Sequence, residues 1–305
     1  MWACAWALVP WLNLAIVAAS QRTVWTQTGV PVAEMLNRTA VSFAILLSLW
    51  GAARIAAEIQ ELPRGLSKVI DHGSDVSRLF RGADSVVVPL LLTAVVSVVL
   101  PLDEALSADP VAALTQAITW AIIGIPLSTA FWLYVVLQRG LYRLGHGHLT
   151  LMGYRGDRSL GLRPVGRMAF TGYWMLVGTI TPLLVTSFSD LPGLVVGVCV
   201  LVAGTGLFFV SLRGLHRQMH KVRQHELDTA LGLYEQAYQQ VQERPTLEAL
   251  EQNVGLLNAA ESLEKRAERI QDWPFDEAML ARVVTIASGV AGVIIARVLL
   301  APVGL

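Results

Sequence analysis

The chain has 305 residues, of which 54% are hydrophobic and only 15% charged, against roughly 25% charged in an ordinary soluble domain. Its 23 basic and 23 acidic residues cancel, so net charge gives no reason to expect nucleic acid as a partner. The apolar residues form long uncharged blocks, which excludes an ordinary soluble globule and points to helices crossing a bilayer. There, only helices and closed barrels satisfy every backbone N–H and C=O.

In chain order, seven blocks are expected to span: Trp2–Ser20, Leu36–Ile55, Ala83–Leu102, Val111–Leu137, Met168–Phe188, Gly193–Leu212 and Met279–Leu300. Ala18, Ala19 and Ser20 are like a signal-peptide cleavage site. No basic residue precedes the first apolar run, so that span is expected to be retained. Three inter-span segments are rich in Arg and Lys. One carries Arg64, Lys68, Arg78 and Arg81, the next Arg139 to Arg167, and the third Arg213 to Arg269. The alternate loops are acidic or neutral, with Asp103, Glu104, Asp109 and Asp190. Basic loops stay in the cytoplasm, which places the N-terminus inside and the C-terminus outside. The expected fold is an all-α polytopic membrane protein of the bacterial inner (plasma) membrane. Residues 1–212 hold six spans, 213–276 a cytoplasmic helical hairpin, and 277–305 the final span.

Span four should continue through Gln138–Leu144 until Gly145 and Gly147 break it. Span six should run on past Arg213, where Leu227, Leu231, Tyr234, Tyr238 and Val241 recur three and four apart. Pro245 should end this helix and Thr246 cap the next. The second arm carries its own stripe from Leu247 to Ile270, so the two arms should form an antiparallel hairpin. Its apolar stripe either zips the hairpin to itself or joins subunits. Burying Lys at Leu231 and Tyr238 should then disrupt it. Trp273 and Pro274 end the hairpin, and Asp276 is the expected N-cap of the last span.

No nucleophile, base and acid constellation is visible, so the chain is not read as an enzyme and no catalytic residue or cofactor is expected. The middle of every span lacks Asp, Glu and His, which disfavours a proton-coupled transporter. Arg54 and Glu58 lie one turn apart and predict an interfacial ion pair. Arg297 should snorkel to the outer surface, and Asn13 and Gln116 should bond between helices. Cys4 and Cys199 lie in apolar blocks and are expected to pack there. His216 and His220 are four apart, but no acidic residue follows His216 and the basic neighbours oppose a cation, so no metal site is expected. Arg213, Arg217, Lys221 and Arg223 are candidate contacts to lipid headgroups. The glycine-rich stretch Leu149–Gly166 is not a P-loop, since no Gly-Lys-Ser/Thr follows. Phosphate or headgroup binding by Arg155, Arg158 and Arg163 is its lesser reading.

The last span places Ala281, Thr285, Ser288, Gly292 and Ala296 on one face. Such a stripe permits close helix packing or lines a pore shared by subunits. Thr285, Ser288, Gly292 and Ala296 are therefore the candidate pore-lining residues.

Two stretches, Ser159–Gly166 (SLGLRPVG) and Lys265–Asp276 (KRAERIQDWPFD), resemble a group of uncharacterised bacterial multipass membrane proteins; that resemblance implies no activity. The architecture alone resembles the insect chemoreceptor channels, with seven spans, cytoplasmic extensions of later spans and a short final span. This resemblance implies a homo-oligomer whose last helix lines the pore. The family's characteristic Tyr and Gln in that span are missing here. The functional expectation is an oligomeric channel or channel-like receptor whose partners are the bilayer and copies of itself. The alternatives are a small-molecule transporter that is not proton-coupled and a scaffold recruiting a cytoplasmic partner through the hairpin. The ion, substrate or ligand is not legible.

Overall fold

The computed structural model describes residues 2–20, 32–66, 76–99, 110–147, 151, 158–186, 191–243, 247–274 and 277–300. The described elements are all α-helices: α1 (Trp2–Ala7), α2 (Val9–Ser20), α3 (Val32–Gly65), α4 (Val76–Leu79), α5 (Val87–Val99), α6 (Pro110–His146), α7 (Arg163–Thr186), α8 (Leu191–Glu243), α9 (Leu247–Arg269) and α10 (Glu277–Leu300). Among the described residues, three helices are long and apolar enough to cross a membrane: Glu34–Gly65, Gln116–His146 and Leu194–Glu243. Shorter apolar stretches are Val87–Val98 in α5 and Ala281–Gly292 in α10. This is the profile of a membrane protein, and the other expected spans are helical in their described parts apart from Leu8 and residues 83–86.

Two block boundaries differ from expectation. The first block is broken at Leu8 into α1 and α2. Pro10 has no N–H to give the carbonyl four residues back, so the helical ladder lapses there. The third block begins as helix only at Val87. Ahead of it, Gly82 takes a left-handed φ of 109°, a conformation that suits glycine, and residues 81–84 form a turn. Trp132 of α6 holds that turn by donating from Nε1 to the Gly82 carbonyl at 2.9 Å.

The bundle centres on α3, α6, α7 and α8, with α5 against α6, α10 against α7, and α1 and α2 on α3 and α6. Its densest region is where Tyr134 and Leu137 of α6, Met168 and Tyr173 of α7, and Phe208 and Leu212 of α8 are all buried. Helices in lipid gain little from burying apolar surface against one another, so close approach and hydrogen bonds matter more. Hydroxyl or amide clasps join the pairs. Ser48 meets Thr179 at 3.1 Å between α3 and α7, and Thr93 meets Ser128 at 2.6 Å between α5 and α6. Asn13 of α2 donates to Thr119 of α6 at 2.6 Å, the bond between helices expected of it. Between α6 and α8, Ser211 donates to Gln138, and the Tyr134 hydroxyl donates to the Gly204 carbonyl at 2.7 Å.

Gly145 does not break α6, which continues to His146. It is the point at which α6 meets α8 backbone to backbone. A Cβ built on Gly145 would lie 2.9 Å from the Leu215 nitrogen, and one on Gly214 would lie 2.7 Å from the Gly145 carbonyl carbon. Gln218 of α8 then caps α6, donating to the carbonyls of Gly145 at 2.8 Å and Gly147 at 2.9 Å. The end of a helix leaves carbonyls without intrahelical donors, and a side chain from the neighbouring helix supplies them here.

Beyond the crossing, α8 continues as expected past Arg213 and is 53 residues long. It packs along α9 as the two arms of a hairpin. Pro245, Thr246 and Asp276 lie outside the described residues. The Tyr234 hydroxyl donates to Glu264 at 3.0 Å, which brings Ala230 and Ala237 of α8 near the levels of Ala267 and Ala260 of α9. All four alanines are buried. The expected stripe holds in part: Ala260, Ala267 and Ile270 of its second arm are buried, and Leu227, Tyr234, Val241 and Leu263 are half-buried, while alanines seven apart on each arm form the centre of the seam. Leu231 is 58% and Tyr238 69% exposed, so the expectation that they close the hairpin is overturned. Small side chains let the two axes approach closely and squeeze the larger neighbours outward. Cys4 and Cys199 are likewise exposed, free thiols, and do not pack into the bundle.

Candidate functional site

The two short motifs that stood out in the sequence meet at one end of the bundle. Gln271, at the end of the hairpin, donates its N–H to the Arg158 carbonyl at 3.0 Å. Between Arg158 and α7 the chain makes a tight turn in which Leu160 has φ 53° and Gly161 φ 87°. A left-handed conformation at leucine is unusual. It is held because Leu160 and Leu162 are both plugged into the core. The turn delivers Pro164 against α3, where a Cβ on Gly65 would sit 3.1 Å from the Pro164 ring.

This turn, the start of α7 and the end of α3 border an open cavity of about 950 Å³, reached also by Met279 of α10. Arg54, Arg64, Arg163 and Arg167 line it, together with Glu58 and Glu61. The expected ion pair is present, with Arg54 Nε 3.0 Å from Glu58 Oε1. Two further partners come from α7: Arg167 Nε at 3.7 Å and the Thr171 hydroxyl at 3.3 Å from the same oxygen. Glu58 is itself buried, and its second oxygen has no hydrogen-bond partner. Of the glycine-rich stretch, only Leu151 and residues 158–166 are described, so Arg155 lies outside. Arg163 lines the cavity, while Arg158 takes the hairpin contact.

A second cluster ties the hairpin to its root. Asp272 accepts from Arg223 at 2.8 Å and lies 3.5 Å from His220. Its carbonyl lies 2.6 Å from His216 Nδ1, and the Trp273 ring stacks on His216 with centroids 4.5 Å apart. His216 and His220 are thus spent on the latch. Among the described residues no group of three potential metal ligands occurs. Of the candidate headgroup contacts, Arg213, Arg217 and Lys221 are exposed, whereas Arg223 is turned to Asp272.

Partial burial pushes the Asp272 carboxyl up, but the hydrogen bond and charge of Arg223, aided by His220, carry it below the ordinary carboxylate range. A depressed carboxylate stabilises the fold above its unfolded pKa, and that contribution is lost as pH falls through the lower folded value. Asp272→Asn should therefore lower stability at neutral pH by about 1 kcal/mol, a size limited by solvent screening. The difference from wild type should shrink as pH drops below about 4. Thermal unfolding of both proteins between pH 7 and pH 3 checks this. A gap that does not narrow in acid removes Asp272 as its source.

The candidate pore face lies elsewhere, on α10. Val283 and Val290 are buried, while Thr285, Ser288, Gly289 and Gly292 are exposed. Nothing lies within 4 Å of a Cβ built on Gly289 or Gly292. The side chains of Ala296 and Arg297 lie outside the described set. The structure thus brings Thr285, Ser288 and Gly292 to one open face and keeps them apart from the basic cavity. Comparison with protein-family models, curated proteins and solved structures finds no match.

Proposed function

We propose that the protein is a seven-span membrane protein of the bacterial inner membrane that assembles with copies of itself into a channel-like oligomer, with α10 at the shared centre. The hairpin and the basic helix ends face the cytoplasm in this reading. The observation that supports it is the open face of α10. A helix meeting only lipid has no need of a small, weakly polar stripe, and such stripes serve close helix association or line a passage for water. Here the stripe points away from the chain's own bundle, so a second copy is the natural neighbour. The exposed Leu231 and Tyr238, seven residues apart on α8, offer a further apolar strip outside the membrane segment. Exposed apolar strips of this kind mark contact surfaces, and the antiparallel hairpin then serves as the cytoplasmic anchor.

Ser288→Cys tests the arrangement after the native Cys4 and Cys199 are replaced by Ala, because both thiols are exposed. At a shared centre, the introduced thiols should crosslink between chains and react with a small water-soluble thiol reagent. Reaction without crosslinking favours a water-filled crevice within one chain, the transporter reading. Neither crosslinking nor reaction rejects the central position of α10 and leaves the hairpin as a scaffold.

A further inference from the structure

We propose that the cavity between α3, the Leu160–Gly161 turn and α7 binds the headgroup of a phospholipid whose phosphodiester is followed by a hydrogen-bond donor such as an amine or hydroxyl. The proposal stands apart from oligomerisation and uses none of the α10 face. Four arginines and two glutamates line the space, so 4 − 2 leaves two positive charges in excess. Like charges gathered in one place repel one another even where water screens them, as at Arg54 and Arg167, which are 42% and 62% exposed, and an anion relieves that repulsion. The arginines come from two helices far apart in sequence and converge on one volume, as multidentate recognition of a phosphate requires.

The backbone adds to this arrangement. The 24-residue helix α7 begins at Arg163, so its first turn, with the positive end of its dipole, opens at the cavity. The left-handed Gly161 is part of the wall. The cavity also lies just past Ile55, where the long apolar block of α3 gives way to charged residues; on the topology proposed above, this is the depth of lipid headgroups. Basic pockets between membrane helices at this depth suit anionic headgroups.

Glu58 specifies the rest of the ligand. Its Oε1 takes Arg54, Arg167 and Thr171, which orients two of the guanidiniums. Its Oε2 is buried without a partner, on a side chain nine-tenths buried. A buried carboxylate oxygen without a donor is costly. With a small turn of the carboxyl toward the cavity, a donor three bonds beyond the phosphate ester oxygen, as in ethanolamine or glycerol headgroups, would satisfy it, whereas choline carries no N–H or O–H.

The test uses the full chain in detergent micelles doped with one lipid at a time, reading the thermal unfolding midpoint. Phosphatidylethanolamine and phosphatidylglycerol should each raise the midpoint saturably, and phosphatidylcholine should not. The double variant Arg163→Gln/Arg167→Gln removes two exposed guanidiniums and should weaken the response by about tenfold or more. Arg139→Gln/Arg143→Gln, two exposed arginines of α6 that do not line the cavity, should leave it intact. Glu58→Gln should keep the response to phosphatidylglycerol but bring phosphatidylcholine closer to phosphatidylethanolamine. If water-soluble phosphoethanolamine or glycerol phosphate gives the full shift alone, the cavity takes a free phosphate ester of the same chemistry. No saturable shift with any of these ligands, an unchanged response in the Arg163/Arg167 variant, or an equal response to phosphatidylcholine overturns the site.

Discussion

Gly214→Leu should prevent the bundle from assembling. A side chain at this position has nowhere to go, since its first carbon alone would come within 3 Å of the Gly145 backbone. Ordinary overpacking is relieved by rotating a neighbouring side chain and costs about 1–3 kcal/mol. Here the obstacle is a main chain, so relief requires α6 and α8 to part, which also strips Gln218 from the carbonyls it caps. The expected loss is at or above the upper end of that range. It should appear as little folded protein after solubilisation and a much lowered unfolding midpoint. Gly232 of the same helix is the control. A Cβ there meets nothing within 4 Å, so Gly232→Ala should gain helix propensity and raise stability by about 0.5–1 kcal/mol. Equal midpoints for the two variants would show that the crossing is not tight.

Why that crossing was illegible from the chain alone is clear from the residues involved. Gly145 stands near the end of a helical pattern beside Gly147, and a glycine there is ordinarily a stop signal. Only its partner, Gly214, reveals it as a contact, and the two are 69 positions apart. The ion pair of Arg54 and Glu58 was legible because i, i+4 spacing is a property of the helix itself. Arg167 and Thr171, which complete that site, belong to another helix, and no local spacing links them to Glu58. Ser159–Gly166 stood out by its glycines and proline, and Lys265–Asp276 by the Trp273–Pro274 stop at its end, each a local signal. That Gln271 bonds Arg158, bringing the segments together beside the cavity, follows only from the three-dimensional fold. The apolar blocks were visible because hydropathy is local. Their helix boundaries shifted where Pro10 and Gly82 imposed a break.

The hairpin gives the second large effect. Ala237→Leu or Ala260→Leu should force the arms apart, because three added carbons enter a seam in which both alanines are buried. We expect a loss of about 1–3 kcal/mol for either, with reduced helicity of the hairpin. The opposite outcome is expected for Leu231→Lys with Tyr238→Lys. Both side chains are largely solvent-exposed in the single chain, so helicity and chain stability should change by no more than about 0.5 kcal/mol. Any effect of the double Lys variant should appear instead in the mass of the assembled particle. Circular dichroism and light scattering separate the two. A collapse of helicity in the Lys variant would return Leu231 and Tyr238 to the seam.

The crossing has a mechanical corollary. With no break recorded between Leu191 and Glu243, α8 is a beam about 80 Å long, pinned about 35 Å from one end and about 44 Å from the other. The pin is a main-chain contact steadied by Gln218 and by the buried Leu212, Leu215 and Met219, so the beam tilts about it as one piece. A tilt of about 5° on the membrane side therefore sweeps the far tip through about 4 Å. The His216–Asp272–Trp273 latch sits close to the pivot, where displacement is smallest, so it can stay fastened while the tip travels. A tilt of the beam as a whole would displace the Glu243 tip about 1.3 times as far as the Leu191 end.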